Sequence, residues 1–281
     1  MDKTQGILVL AQNLDTVDYV EQACLLAMSL RVTNPNTLIS VVTNDVVPEE
    51  YVKFFDKIIP IPFNDDAKDS EWKIENRWKL YHATPYDRTI VLDTDMLVLQ
   101  DISSWWEVLY NYDLFFTSKV FTYRGELVTS DYYRKTFTAN HLPNLYSGFH
   151  YFEKSKLALE FYTWLELAIQ NWELFYGTYA KEQYPGRLSV DVSAAVVAKI
   201  LDCDAEITNA YSSFPTFTHM KPKIQNWNSP KSKWQDCVGV YISRDCQIKI
   251  GNHAQTGILH YTEKDFVTPE LIERYRNYLH V

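Results

Sequence analysis

The chain opens on an unbroken apolar run, Gly6-Ile7-Leu8-Val9-Leu10. Such a run is the mark of a strand covered on both faces. Val17, Val20, Ala23, Cys24, Ala27, Met28 and Leu30 then recur at helical spacing, and Asn34-Pro35-Asn36 stops that helix and turns the chain. Leu38 to Thr43 and Ile58 to Ile61 read as two further strands. Asp66 to Tyr81 starts polar and becomes amphipathic, which predicts helix toward Arg77-Trp78-Lys79-Leu80. Pro85-Tyr86-Asp87-Arg88 turns the chain into a fourth strand. Strand and helix alternate throughout this half, the pattern of an α/β fold with a mixed, mostly parallel central sheet flanked by helices.

After residue 113 the alternation breaks. Leu114 to Ser118 and Phe149 to Phe152 read as strands, with residues 119 to 143 between them aromatic, turn-rich and irregular. Helices are predicted over residues 155 to 170, Ser189 to Leu201 and Pro269 to Leu279, and residues 202 to 260 as irregular chain with short strands. No internal repeat and no linker separates domains, so one domain over residues 1 to 281 is expected.

The fourth strand carries the chemistry. Ile90-Val91-Leu92-Asp93-Thr94-Asp95-Met96-Leu97-Val98-Leu99 holds two carboxylates inside an otherwise apolar run. Ionised carboxylates are costly to bury unless paired, hydrogen-bonded or bound to a cation. A strand that leaves the core and delivers Asp93 and Asp95 to a divalent ion accounts for the pattern. Oxygen ligands suit Mg²⁺ or Mn²⁺, which keep coordination places for water and phosphate oxygens. Open α/β sheets bind ligands beyond the carboxyl ends of their strands. Asn13, Asp93 and Asp95 all fall at such ends. Asn13 is placed to meet a base or ribose, or to cap a turn, and Lys79 to touch the same ligand or lie in solvent.

Composition narrows the ligand. The chain carries a net charge of −9, which argues against nucleic acid and anionic membrane surfaces as partners. It holds 20 Tyr and 8 Trp, side chains that join apolar faces to polar tips and so suit sugars. Tyr123, Tyr132, Tyr133 and Trp172 are candidates for stacking an acceptor, and residues 119 to 143 for an acceptor loop. Cys24, Cys203, Cys237 and Cys246 have no metal-ligand spacing. Cys237 and Cys246 could face each other across a hairpin, but free thiols are the expectation. The N-terminus lacks a signal pattern, and no apolar run nears the roughly 20 residues that span a bilayer. A soluble, cytoplasmic protein is expected.

Two enzyme classes place Asp-x-Asp after a buried strand: nucleotide-sugar glycosyltransferases and haloacid-dehalogenase-like phosphatases. The phosphatases carry it on their first strand, with Thr or Val two residues after the second Asp. Here it follows the fourth strand, and that position is Leu97. The stretch from Trp78-Lys79-Leu80-Tyr81 through Asp87-Arg88 and the Asp pair to Asp101-Ile102 resembles glycosyltransferase family 8, its glycogenin-like and galactosyltransferase-like members. Asn144-x-x-Ser147-Gly148 is similar to the family's Asn-x-Gly segment, Asp191 to its Asp-Gln element, and His260 with Lys264 to its C-terminal His-Lys element. Two departures stand out: Val192 follows Asp191, and the C-terminal element lacks the family's Gly and Lys-Pro-Trp ending.

The resemblance implies a GT-A, Rossmann-like fold, with residues 1 to 112 as the nucleotide-binding half and 113 to 281 as the sugar- and acceptor-binding half. It implies metal coordination by Asp93, Asp95 and His260. Asn13, Lys79, Asp93, Thr94, Gly148 and Lys264 would bind the donor, with Lys264 on its diphosphate, and Asn144 and Asp191 would be the catalytic residues, Asn144 bonding sugar hydroxyls and Asp191 holding sugar or acceptor hydroxyls. The implied reaction transfers a hexose, with retention, from a UDP-sugar to an unread acceptor hydroxyl on a glycan, protein or small molecule, with Mn²⁺ or Mg²⁺ as cofactor. Two alternatives stay open: a phosphatase using Asp93 as nucleophile, and an inactive nucleotide- or sugar-binding protein.

Overall fold

The computed structural model describes residues 3–128, 132–209, 214–219 and 234–281. Its central sheet contains β1 (Gln5–Leu10), β2 (Ile39–Val42), β3 (Lys57–Ile59) and β4 (Arg88–Leu92). Then come β5 (Met96–Val98), which leaves that sheet, and β6 (Leu114–Thr117) and β7 (Tyr146–Glu153), which rejoin it. The order is β3-β2-β1-β4-β7-β6. The first four strands are parallel, and β7 runs antiparallel to both of its neighbours.

The apolar run of β1 is continuous because both of its faces are covered. Ile7 and Val9 enter one core with the helix Tyr19–Thr33, while Leu8 and Leu10 enter the other with the helices Lys156–Gln170 and Val190–Leu201. This is the two-residue period of a strand, apolar at both phases. Asp18 caps the first of these helices by accepting from Glu21 N at 2.8 Å. The helix stops at Asn34, whose side chain accepts from Ile102 N at 2.8 Å and donates to the Gln100 carbonyl at 2.9 Å. The stop residue thereby ties the first helix to the chain just past β5. Among the described residues no helix is long and apolar enough to cross a membrane.

The remaining strands are β8 (Phe217–His219), β9 (Val240–Ile242), β10 (Ile248–Ile250), β11 (His253–Ala254) and β12 (Ile258–His260). β9, β10 and β11 form an antiparallel meander. β12 lies between β5 and β8, and its register sets His260 opposite Met96. That pairing brings residue 260 next to the Asp pair across more than 160 residues of sequence.

The expected irregular stretch 119 to 143 contains a helix, Tyr132–Ala139. Its buried positions include Arg134, Thr136 and Phe137. Arg134 donates to the Leu145 carbonyl and lies over the Tyr146 ring at 3.8 Å. Polar residues on the buried side erased the apolar periodicity that would have marked the helix. A further short helix, Trp172–Tyr179, follows directly on the predicted one, with Asn171 between them. All four cysteines are free thiols, Cys237 and Cys246 included.

Gly257 governs the entry to β12. Its φ is +70°, and a Cβ there would stand 2.2 Å from the Thr216 carbonyl oxygen. Its carbonyl also accepts from Leu99 N at 2.8 Å. Gly257→Ala should therefore destabilise the protein by about 2 kcal/mol or more, from backbone strain and overpacking together. Urea unfolding checks this; an unchanged midpoint and slope would refute the positive φ at Gly257.

Candidate active site

β4 ends at Leu92, and the chain then bends through Asp93-Thr94-Asp95 before β5 begins. Asp93 N donates to the Gly148 carbonyl at 3.1 Å, and Tyr261 N donates to the Asp95 carbonyl at 3.1 Å. The backbone of the pair is thus pinned on one side by β7 and on the other by the residue after β12. His260 Nε2 stands 3.1 Å from Asp95 Oδ1. Ligand atoms of Asp93, Asp95 and His260 all lie within 4.8 Å of one another. Asp95 is buried and Asp93 half-buried, so two carboxylates share a partly desolvated corner. Arg77 Nη1 lies 2.7 Å from Asp93 Oδ1 and supplies one compensating charge. Two carboxylates and a ring nitrogen make a donor set that fits Mn²⁺ or Mg²⁺.

The triad forms one wall of a cavity at the carboxyl ends of β1 and β4. Leu10, Gln12 and Tyr19 line its β1 side, while Trp72, Lys73 and Ile74 reach it from the segment before Arg77. A partly buried amide–carboxylate network holds that segment down. Gln12 Nε2 donates to Asp65 Oδ1 at 3.0 Å, and Asn76 Nδ2 donates to Gln12 Oε1 at 2.9 Å and to Asp65 Oδ1 at 2.7 Å. Burial opposes ionisation of Asp65, but the bonds from Asn76 and Gln12 outweigh it and keep its carboxyl below the usual range.

Of the residues singled out from sequence, Asp93, Thr94, Asp95 and His260 meet at this cavity. Gly148 abuts it: a Cβ there would come within 2.7 Å of Met96 Cε and 3.1 Å of Asp93 Oδ2, so only a hydrogen fits beside the Asp pair. Four others point elsewhere. Asn13 Oδ1 accepts from Val20 N at 2.9 Å, at the start of the first helix. Lys79 is buried, pairs with Asp66 at 2.8 Å and donates to the Asn64 carbonyl. Asn144 donates to the Ser118 carbonyl at 2.6 Å. Asp191 accepts from Ser147 N at 2.8 Å and Ser147 Oγ at 2.5 Å. Burial raises the Asp191 carboxyl against the opposing pull of Arg134. Lys264 begins the turn Lys264–Phe266, and its side chain lies outside the described residues, as does that of Tyr132.

Sequence reasoning missed Arg77 and Val190. Each lines the cavity one or two positions from a residue it did choose, Lys79 and Asp191. The Arg77–Lys79 turn is a three-residue 3₁₀ helix with Trp78 and Lys79 buried, too short for periodicity to reveal its facing. The available signal was electrostatic: an arginine in the turn leading to a buried carboxylate pair.

His150 lies beneath this cavity, stacked on Phe116 at 4.9 Å. Nδ1 faces the Ser147 carbonyl at 2.7 Å and Nε2 faces Tyr162 Oη at 2.8 Å. A carbonyl can only accept, so the neutral ring carries its proton on Nδ1 and accepts from the tyrosine. Burial, reinforced by Arg77, pushes its pKa down to about 4.

No protein-family model matches the chain, and no curated protein matches it. Solved structures do. The galactosyltransferase LgtC, in complex with donor and acceptor sugar analogues, superposes with a TM-score of 0.51 at 14% identity, over 97% of this chain and 95% of that one. Mouse xyloside xylosyltransferase 1 in its apo form gives a TM-score of 0.51 at 10% identity, over 94% of this chain and 99% of that one. At such identities the likeness establishes architecture: the protein has the GT-A fold of glycosyltransferases.

The depressed pKa of His150 sets a pH dependence. The unfolded ring titrates near 6.5, so below that pH the unfolded state binds more protons than the folded one. Stability from the neutral ring is present above about 6.5 and is lost as pH falls to about 4, by up to roughly 3 kcal/mol. His150→Gln should flatten that slope in denaturant titrations run from pH 7 to 4. An identical slope in both proteins would remove His150 as its source.

Proposed function

We propose that this protein is a metal-dependent glycosyltransferase. It moves a hexose from a nucleoside-diphosphate donor, UDP-linked in this reading, to an acceptor hydroxyl with retention of anomeric configuration. The observation that carries the reading is the Asp93–Asp95–His260 cluster, set at the carboxyl end of a parallel strand in a GT-A fold. In this reading Asp93, Asp95 and His260 hold Mn²⁺ or Mg²⁺, which when bound supplies positive charge against the departing diphosphate.

The chain's own residues then have distinct tasks. Arg77 balances Asp93 and presents a guanidinium to the same cavity. Thr94 and Gly148 shape the wall next to the carboxylates, and Lys264 is assigned to the diphosphate. Asn13, Lys79, Asn144 and Asp191 act as positioning residues: they hold the helix start, the 64–66 segment, Ser118 and Ser147 respectively. The reading takes residues 1–281 as one domain, its halves meeting near residue 112, with a nucleotide-sugar donor and an unidentified acceptor as partners. A cytoplasmic location belongs to it too, supported by four free thiols. A phosphatase would need Asp93 as a free nucleophile, and its ion pair with Arg77 disfavours that role.

A melting-temperature series tests the reading. UDP with Mn²⁺ together should raise the midpoint by about 5 °C at a hundredfold excess over Kd. UDP alone or Mn²⁺ alone should do much less, and Asp95→Ala should abolish the joint effect. No joint shift, or one that survives Asp95→Ala, sinks the metal–nucleotide site. Consumption of UDP-sugar then separates an active enzyme from an inactive binding protein.

A further inference from the structure

We propose that Arg77 couples metal loading to nucleotide loading: it holds Asp93 in the absence of a divalent cation and passes to the nucleotide's diphosphate in its presence. The inference rests on the proposed nucleotide-sugar function and specifies how that site is filled.

The contact between Arg77 and Asp93 is a close charge pair without a hydrogen bond. Nη1 lies 2.7 Å from Asp93 Oδ1, yet that oxygen is buried and accepts no hydrogen bond among the described residues. An oxygen held by charge alone keeps its lone pairs for a hard cation, which bonds carboxylate oxygens directly. Asp93 is also one of the three residues whose ligand atoms lie within 4.8 Å of one another. Guanidinium and divalent ion therefore compete for one carboxylate, and the two positive charges repel each other at that range.

Two cations near the site are held in different ways. Lys73 and Arg77 both line the cavity. Lys73 Nζ donates to the carbonyls of Ala67 at 2.8 Å and Lys68 at 2.6 Å. The guanidinium of Arg77 has its ion pair with Asp93 and no hydrogen bond among the described residues. Its backbone, by contrast, is fixed. Arg77 N donates to the Ile74 carbonyl at 2.9 Å, and Asn76 before it is tied to Gln12 and Asp65. The head group can change partners while the chain beneath it stays in place.

A second partner lies close by in this reading. Arg77, Asp93, Asp95 and His260 line the same cavity. Neighbouring oxygens on a six-coordinate ion stand about 3 Å apart, so a phosphate oxygen bound next to Asp93 is within a short swing of Arg77. The arginine fork fits phosphate as it fits carboxylate. Without nucleotide, Arg77 opposes the metal, because its displacement leaves it no anion to bind. With nucleotide, the diphosphate receives it. Metal and nucleotide thereby favour each other, equally in both directions, and couplings of this kind are about 5- to 150-fold.

Mn²⁺ titrations read by electron paramagnetic resonance, without UDP and at saturating UDP, test this. Arg77→Met keeps an apolar stem beside Leu80 and Phe116 and removes the charge. It should tighten Mn²⁺ alone about fivefold or more, and weaken Mn²⁺ in the presence of UDP about fivefold or more. Arg77→Lys keeps the charge without the fork and should show the same crossing at smaller size, with a urea transition establishing that each variant is folded. A simple field effect tightens Mn²⁺ in both conditions, and a merely structural role weakens it in both. Changes of the same sign in the two titrations, or no change in either, overturn the proposal and leave the function reading standing. Failure of the unaltered protein to bind Mn²⁺ and UDP together overturns the function reading, and this inference with it.

Discussion

Two carboxylates held together at the end of a buried strand are the constraint around which the rest of the molecule is arranged. With Asp93 and Asp95 ligand atoms less than 4.8 Å apart, their repulsion is on the order of 3 kcal/mol at an effective dielectric of 20. Arg77 relieves part of it at 2.7 Å, and His260 stands against the other carboxylate. The backbone is held by Gly148 and Tyr261, elements from opposite ends of the second half of the chain. Each partner reaches the pair from a different direction, so the site exists only when the long-range pairings β4–β7 and β5–β12 are formed.

This arrangement also explains the departure of the chain from simple α/β alternation. The parallel strands β1 to β4 build a platform whose carboxyl ends face one way. β7 then enters antiparallel, which brings Gly148, at its near end, beside Asp93 instead of carrying the chain past it. Asp191 and Ser147 lock that end of β7 to the helix Val190–Leu201, whose first residue, Val190, lines the cavity. One hydrogen-bonded pair thereby connects the strand beside the first carboxylate to a helix that borders the same cavity.

Much of the platform was legible because it obeys local rules. Continuous apolar runs meant strands covered on both faces, and the helix Tyr19–Thr33 followed from its spacing and the Asn34 stop. The C-terminal helix was expected at Pro269–Leu279 and is found there, with Thr268 as its cap. The helix Tyr132–Ala139 was hidden because Arg134 occupies a buried position, held there by a carbonyl and two aromatic rings that no local pattern announces. At the site, Asp93, Asp95 and His260 were legible as chemistry, an expensive pair and a distant imidazole. The facing of their neighbours was not.

What the amino-acid sequence determined alone was therefore the sheet's strands and the delivery of two carboxylates beyond the core. These depend on burial costs that act over a few residues. Tertiary structure decided which neighbours share the cavity. Arg77 rather than Lys79 reaches Asp93, because a three-residue turn takes its rotation from packing. Val190 rather than Asp191 lines the cavity, and a serine on β7 holds one oxygen of the carboxylate. His260 arrives only through the register of β12 on β5. Rotation of a short helix and register of a distant strand are set by contacts far apart in the chain, and no local pattern encodes them.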